Sequence, residues 1–267
     1  MELIVCVKQV PDPEAPPASF KVDPSSNKVV PPPGVPPVIS TFDETAVEAA
    51  LKIKDAKAGS KITVLSLGNN LVRDVVKKPL AMGADQLILL EDPAYEEGDS
   101  WSTAYALAMA IKKIGKFDII FCGRQAADWD AGQVGVGIAE ILGLPCITLA
   151  KKIEVVDSKV LVERVVADGF EVVEAPMPCL ITVTNELGEP RYAALKGIMK
   201  AAKIQPIIWK PQDIGVDAAK IGAKGRRTKL VKLFQPVKEG KCEIVEGENA
   251  ADAAAKLAVR LREAKVL

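Results

Sequence analysis

Histidine is absent from the 267 residues, and that absence excludes more chemistry than any single residue present suggests. Without an imidazole there is no Ser-His-Asp or Cys-His nucleophile pair, and most zinc sites are removed as well. The chain is therefore expected to act without an acid–base dyad of its own. Its five cysteines, Cys6, Cys122, Cys146, Cys179 and Cys242, lie far apart with no Cys-x-x-Cys pair, and are read as buried free thiols. No apolar run approaches the roughly 20 residues needed to span a bilayer, and the opening run "ELIVCV" is too short for a signal peptide. The expectation is a cytoplasmic protein with no membrane insertion. Neither charge sign is in excess: Lys plus Arg and Asp plus Glu both count 35, so no net field favours nucleic acid. Also missing are G-x-G-x-x-G and G-x-x-x-x-G-K-[ST], the dinucleotide fingerprint and the Walker loop, and the S-G-G-x-D-S loop of an adenylating pyrophosphatase.

What is present is an alternation. "ELIVCVKQV", "KITVLSLG", "DQLILLED" and "KFDIIFCG" are apolar strands. Between and after them "STFDETAVEAALKIKDAKAG", "LVRDVVKKPLAMGA", "SWSTAYALAMAIKKIG" and "GQVGVGIAEILG" read as helices. Thr41 and Glu44 have capping-box spacing, and Pro79 falls inside the second helix pattern. Strands that are apolar throughout fit a parallel sheet covered on both faces, so the expected class is a doubly wound α/β fold. Residues 11–39, with "PPPGVPP", are expected to be an extended arm over the surface. Beyond residue 143 the pattern turns to strands without helices, "CITLAKKIEVVDSKVLVERVV", "GFEVVEAPM" and "CLITVT", read as an antiparallel extension of the same sheet. The expected division is a nucleotide-binding α/β domain over 1–205 and a C-terminal arm over 206–267, ending in an Ala-rich helix.

In such a sheet ligands bind beyond the carboxyl ends of the strands, where the strand order switches. Four loops reach that edge: after Cys6 to Lys8, at Ser40 to Asp43, at Ser66 to Asn70, and "GRQAADWDAGQVG" from Gly123 to Gly135. Gly123 allows a close backbone approach, and the helix that opens at 132–135 offers an N-terminus to an anion. A nucleotide fits this description. So does a surface loop in which Asp128 and Asp130 merely cap the next helix.

Taken together, "LIVCVKQVPD", "ALAMGAD", "GRQAADWDAGQVG" and "NELGEPRYAALKGIMKA" resemble the β subunit of electron transfer flavoprotein, in order from residue 2 to about 205. "VERVVADGFEVVEAPMPCLIT" is similar to the family's diagnostic segment, departing at Ala167, where an acidic residue is usual. The resemblance implies an adenine nucleotide alpha hydrolase-like fold and a heterodimer with an α subunit that holds the redox-active FAD. The pair would pass electrons from flavin dehydrogenases to a quinone oxidoreductase or another acceptor. It further implies that this chain binds AMP, or the ADP portion of a second FAD, at Cys6, Ser40, Thr41, Phe42, Asp43 and Leu67. The same site takes in the loop residues Gly123, Arg124, Gln125, Ala126, Ala127, Asp128, Trp129, Asp130, Ala131, Gly132, Gln133 and Val134. A recognition loop for the dehydrogenase maps onto Glu186, Leu187, Gly188, Glu189, Pro190, Arg191, Tyr192 and Leu195, with Leu195 as apolar anchor on a mobile, polar loop. Glu163 matches a glutamate that meets an arginine of the α subunit. An electron-bifurcating form that oxidises NADH stays open: Val134 and Gly135 resemble the two-flavin members, and "EPRY" occurs in the AMP-only ones. A universal-stress-type ATP-binding protein shares the alternating layout but needs a phosphate loop that this chain lacks.

Overall fold

The computed structural model describes residues 1–236, 240 and 242–267. They form two units, Met1–Lys232 and Leu233–Leu267. In chain order the first unit carries β1 (Glu2–Val7), β2 (Gln9–Val10), β3 (Lys21–Asp23), β4 (Lys28–Val30), β5 (Val38–Ile39), α1 (Thr41–Ala56) and β6 (Lys61–Gly68). There follow α2 (Arg73–Val76), α3 (Lys78–Met82), β7 (Gln86–Glu91), α4 (Ser100–Ile114), β8 (Ile119–Gly123) and α5 (Val134–Leu142). The unit is completed by β9 (Cys146–Val156), β10 (Lys159–Val166), β11 (Gly169–Pro176), β12 (Cys179–Val183), α6 (Leu195–Lys203), β13 (Ile207–Trp209) and α7 (Gly222–Gly225).

Nine of these strands make one sheet in the order β11-β10-β9-β12-β8-β1-β6-β7-β13. The run from β9 to β13 is parallel, and β10 and β11 extend it antiparallel. The doubly wound fold is thus present, with the expected antiparallel extension. Its central strands are buried because both faces are covered. Leu3, Val5, Val64 and Phe121 pack in one core with Val47, Ala50 and Leu51 of α1 and Leu80 of α3. Ile4, Cys6, Leu65 and Ile120 pack in another with Ala104, Leu107 and Ile111 of α4 and Ile138 of α5. Strand order reverses at the β1–β8 pair, since the chain leaves β1 toward β6 and β7 and returns to β8 on β1's other side.

Several expectations change. "CLITVT" is β12, parallel to β8 and β9 and wholly buried; a continuous apolar run marks a central strand rather than an antiparallel edge. The helix expected around Pro79 is two short helices. Pro79 stands at the start of the second, where its missing N–H has no partner to lose. The proline-rich stretch is not wholly irregular: β3 and β4 pair as a hairpin and β5 returns to pair with β2. Proline is absent within those strands and sits around them. Of the cysteines, Cys6, Cys122 and Cys179 are buried, but Cys146 and Cys242 are exposed. β13 pairs with β7, so residues 206–232 pack with the body and the division falls at Lys232.

The second unit contains α8 (Ala250–Glu263), capped by Asn249, whose side chain accepts from the Asp252 amide. Arg260 pairs with Glu243 and Lys256 with Asp252. No residue of α8 is buried, and Leu257 and Val259 are exposed. Among the described residues no helix is long and apolar enough to cross a membrane.

Candidate functional site

The four loops singled out in the sequence meet at the carboxyl edge of the sheet, over the β1–β8 switch. Cys6 of β1 stands in register with Cys122 of β8, and their hydrogen-bonded thiols raise the Cys122 pKa, with burial adding to the effect. Just beyond, the Asp43 carboxylate bridges the two strand ends, accepting from the Lys8 amide at 2.8 Å and the Gly123 amide at 3.1 Å. Gly123 is required here by space: a Cβ would lie 2.5 Å from Asp43 Oδ1 and 2.8 Å from the Phe42 carbonyl carbon. The first turn of α1 is therefore pressed directly onto the end of β8.

Ser40 precedes α1 and is fully buried, yet its hydroxyl caps nothing on its own helix. It accepts from the Ala127 amide at 3.2 Å, across in the long loop. The expected Thr41–Glu44 capping box does not form: Thr41 is already the first helical residue, with Ser40 at the cap, and Glu44 pairs with Lys78. The loop is fixed at further points. Lys8 Nζ donates to both oxygens of Asp128 at 2.7 Å, Gln125 Nε2 donates to Asp130 at 2.7 Å, and the Arg124 amide donates to Val183 of β12 at 2.8 Å. The Arg124 guanidinium lies 5.1 Å from the Phe42 ring centre. Asp128 and Asp130 are thus held by Lys8 and Gln125 and do not cap α5. The residue before that helix, Gln133, makes no side-chain cap either. Trp129 is 58% exposed on the loop.

These features suit a nucleotide. The first turn of α5 presents backbone amides that no side chain among the described residues caps, a geometry that receives phosphate oxygens. At the end of β6, beside Leu67, the buried Ser66 hydroxyl has no hydrogen-bond partner among the described residues. Cys6, Ser40 to Asp43, Leu67 and Gly123 to Val134 lie along this one edge.

Burial raises the Asp43 carboxyl from its ordinary 3.8 to about 7, against the opposing pull of the Lys8 and Gly123 amides. Stability is thereby coupled to pH. Below about pH 4 both folded and unfolded Asp43 are protonated. Between about 4 and 7 the unfolded chain gives up its proton while the folded one keeps it, so stability falls as pH rises through that window. Urea midpoints measured from pH 4 to 7 are expected to decline in wild type. In Asp43→Asn the midpoint starts lower, because one amide loses its acceptor, and the Asp43 part of the slope disappears; an unaltered slope would contradict the assignment.

The second group of residues is placed differently. Glu186 and Leu187 lie in a short 3-10 turn after β12. Residues 188–194 run without regular structure to Leu195, the first residue of α6. Leu195 thus sits at a helix start, at the end of the loop. It is 73% exposed and Tyr192 is 96% exposed, with Ile198 and Met199 exposed on the next turn. Glu163 is separate, on β10, two strands from β12, where it pairs with Lys151 at 3.5 Å and Lys152 at 3.3 Å.

Sequence reasoning missed the residues that hold this segment. Glu48 and Asp55 of α1 both bind Arg191, and Lys52 donates to the Leu187 carbonyl. The signal was available: Glu48 is a charge inside the apolar run "AVEAAL", and a buried carboxylate needs a partner.

The model of the electron transfer flavoprotein domain matches residues 33–214. The electron transfer flavoprotein subunit beta of Megasphaera elsdenii is 44% identical over 242 residues, covering 88% of each chain. The caffeyl-CoA reductase-Etf complex subunit CarD of Acetobacterium woodii is 38% identical over 268 residues, covering 100% of each. Protein FixA of Azorhizobium caulinodans is 38% identical over 267 residues, covering 97% of this chain and 93% of its own. Matched over its full length, the chain belongs to the electron transfer flavoprotein family, among its beta subunits.

Proposed function

We propose that this chain is the nucleotide-holding and partner-docking half of a heterodimeric electron carrier. The observation that carries the reading is the convergence of Ser40, Asp43, Gly123 and the 123–134 loop on the strand-order switch, with uncapped amides at α5. An adenosine phosphate would be held there, either AMP or the ADP portion of a second FAD. Backbone amides of the loop and α5 take the phosphates. Asp43, Ser40 and Lys8 fix the loop around it, and the exposed Trp129 indole is available to stack on a planar ring. FAD, when bound in the complex, supplies one- and two-electron chemistry, and the protein's part is to position it and exclude water. No proton-transfer residue is required of this chain, in keeping with its lack of histidine.

The α subunit is the proposed partner of the second unit, because α8 buries none of its apolar residues within the chain. Glu163, on the antiparallel extension, is proposed to meet an arginine of the α subunit. Segment 186–195 is proposed to dock a flavin dehydrogenase, with Leu195 as anchor. The name of the Acetobacterium woodii relative places that protein in a complex with a CoA-ester reductase, which supports a partner of that class. Electrons would then pass to a quinone reductase or another acceptor.

The test is anaerobic mixing of the assembled heterodimer with a reduced flavin dehydrogenase while flavin absorbance is followed. Bleaching of the carrier flavin is expected. ATP turnover by the isolated chain, with no bleaching in the heterodimer, would instead indicate a nucleotide-hydrolysing or universal-stress-type protein.

A further inference from the structure

The segment proposed to dock the dehydrogenase is seated on the same helix whose first turn frames the nucleotide edge. Glu48, Lys52 and Asp55 recur at positions i, i+4 and i+7 of α1 and so share one face. The side chain of Glu48 is 6% exposed. Its Oε2 accepts from the Arg191 amide at 3.1 Å and from Nε at 2.8 Å, and its Oε1 accepts from Nη2 at 2.9 Å. Nη2 also donates to Asp55 at 2.8 Å, and Lys52 Nζ donates to the Leu187 carbonyl at 3.1 Å. Hydrogen bonds from Glu48 and Asp55 raise the Arg191 pKa, so its charge is constant. On the far side of the exposed residues, α6 is pressed against α3. A Cβ on Gly197 would lie 2.2 Å from the Ala81 carbonyl oxygen, and Lys77 Nζ donates to the Ala202 carbonyl at 3.3 Å. Tyr192 and Leu195 stand between these two fixed points, and both project into solvent.

We propose that Glu48 is a positioning residue for dehydrogenase docking: by gripping Arg191 at backbone and guanidinium together, it holds the 187–195 segment in the shape that presents Tyr192 and Leu195. This rests on the docking function proposed above. The physical effect is preorganisation. A segment already fixed by a planar fork does not have to be ordered when the partner arrives, whereas a released one does. Lysine at 191 has no fork and would grip at one point only. Loss of Glu48 leaves Arg191 paired with Asp55, so the guanidinium keeps a counter-charge and the fold is retained.

The experiment is steady-state electron transfer by the complete heterodimer, with dehydrogenase concentration varied, for wild type, Glu48→Ala, Glu48→Gln, Arg191→Lys and Leu195→Ala. Glu48→Ala is expected to raise KM for the dehydrogenase about tenfold, the cost of ordering a few side chains afresh. Its kcat stays within about twofold, flavin and nucleotide content stay close to wild type, and the unfolding midpoint falls with the loss of the buried Glu48 hydrogen bonds. Glu48→Gln, which keeps one acceptor oxygen, falls between Glu48→Ala and wild type, and Arg191→Lys follows Glu48→Ala. A raised KM in Leu195→Ala with a wild-type KM in Glu48→Ala and Arg191→Lys overturns the positioning role and leaves the docking function intact. A wild-type KM in Leu195→Ala overturns both. Loss of nucleotide or of the heterodimer in both Glu48→Ala and Arg191→Lys would make the clamp a general structural element and also overturn the proposal.

Discussion

Leu195→Ala in the assembled heterodimer is expected to raise KM for the partner dehydrogenase by about 30-fold or more, the loss of a hot-spot anchor of about 2 kcal/mol. A leucine left 73% open at the first turn of a helix, followed by the exposed Ile198 and Met199, gives the chain an apolar stripe that its own core does not use. Lys196 and Lys200 flank the stripe in sequence, which suits an acidic rim on the partner. Because Leu195 touches little of its own subunit, its truncation should leave the unfolding midpoint near wild type, as surface changes generally do. The effect therefore falls on docking rather than folding. A Leu195→Ala heterodimer that keeps both its KM and its stability would show that the dehydrogenase docks elsewhere.

The second large effect is expected at Gly123. In Gly123→Ala the added carbon meets Asp43 Oδ1 at 2.5 Å and Phe42 backbone at 2.8 Å, and backbone yields less readily than a flexible side chain. The strand end and the first turn of α1 must separate, at a cost of about 1–3 kcal/mol typical of overpacking. That separation breaks the Gly123–Asp43 bond and displaces both Ser40 and the loop that it holds through Ala127. Nucleotide retained by the heterodimer after desalting should fall sharply, with affinity reduced about tenfold or more. Full retention with wild-type stability would place the nucleotide away from this edge.

Much of the fold was legible because alternating apolar strands and amphipathic helices leave few arrangements, and the carboxyl edge of a doubly wound sheet is its natural binding edge. The four loops could be assigned to that edge without knowing the strand order. What pattern alone did not convey was pairing across long distances. β12 looked like one more antiparallel strand until its burial between β8 and β9 placed it as a parallel one. The role of Ser40 was hidden for the same reason, since a serine ahead of a helix suggests a cap, whereas its hydroxyl serves an amide 87 positions away. The sequence marks Leu195 as an exposed anchor but not as the first residue of a helix. The ties that hold it, Arg191 to Glu48 and Gly197 against Ala81, join segments that no local periodicity connects.

The central claim, that the 123–134 loop walls an adenine nucleotide site, is tested most directly by denaturing the purified heterodimer and identifying the released nucleotides by mass, with Gly123→Ala as a parallel sample. One FAD together with one AMP, or two FAD, per wild-type heterodimer is expected, with loss of the AMP or of one FAD in Gly123→Ala. A single FAD with no further adenine nucleotide from wild type would contradict it.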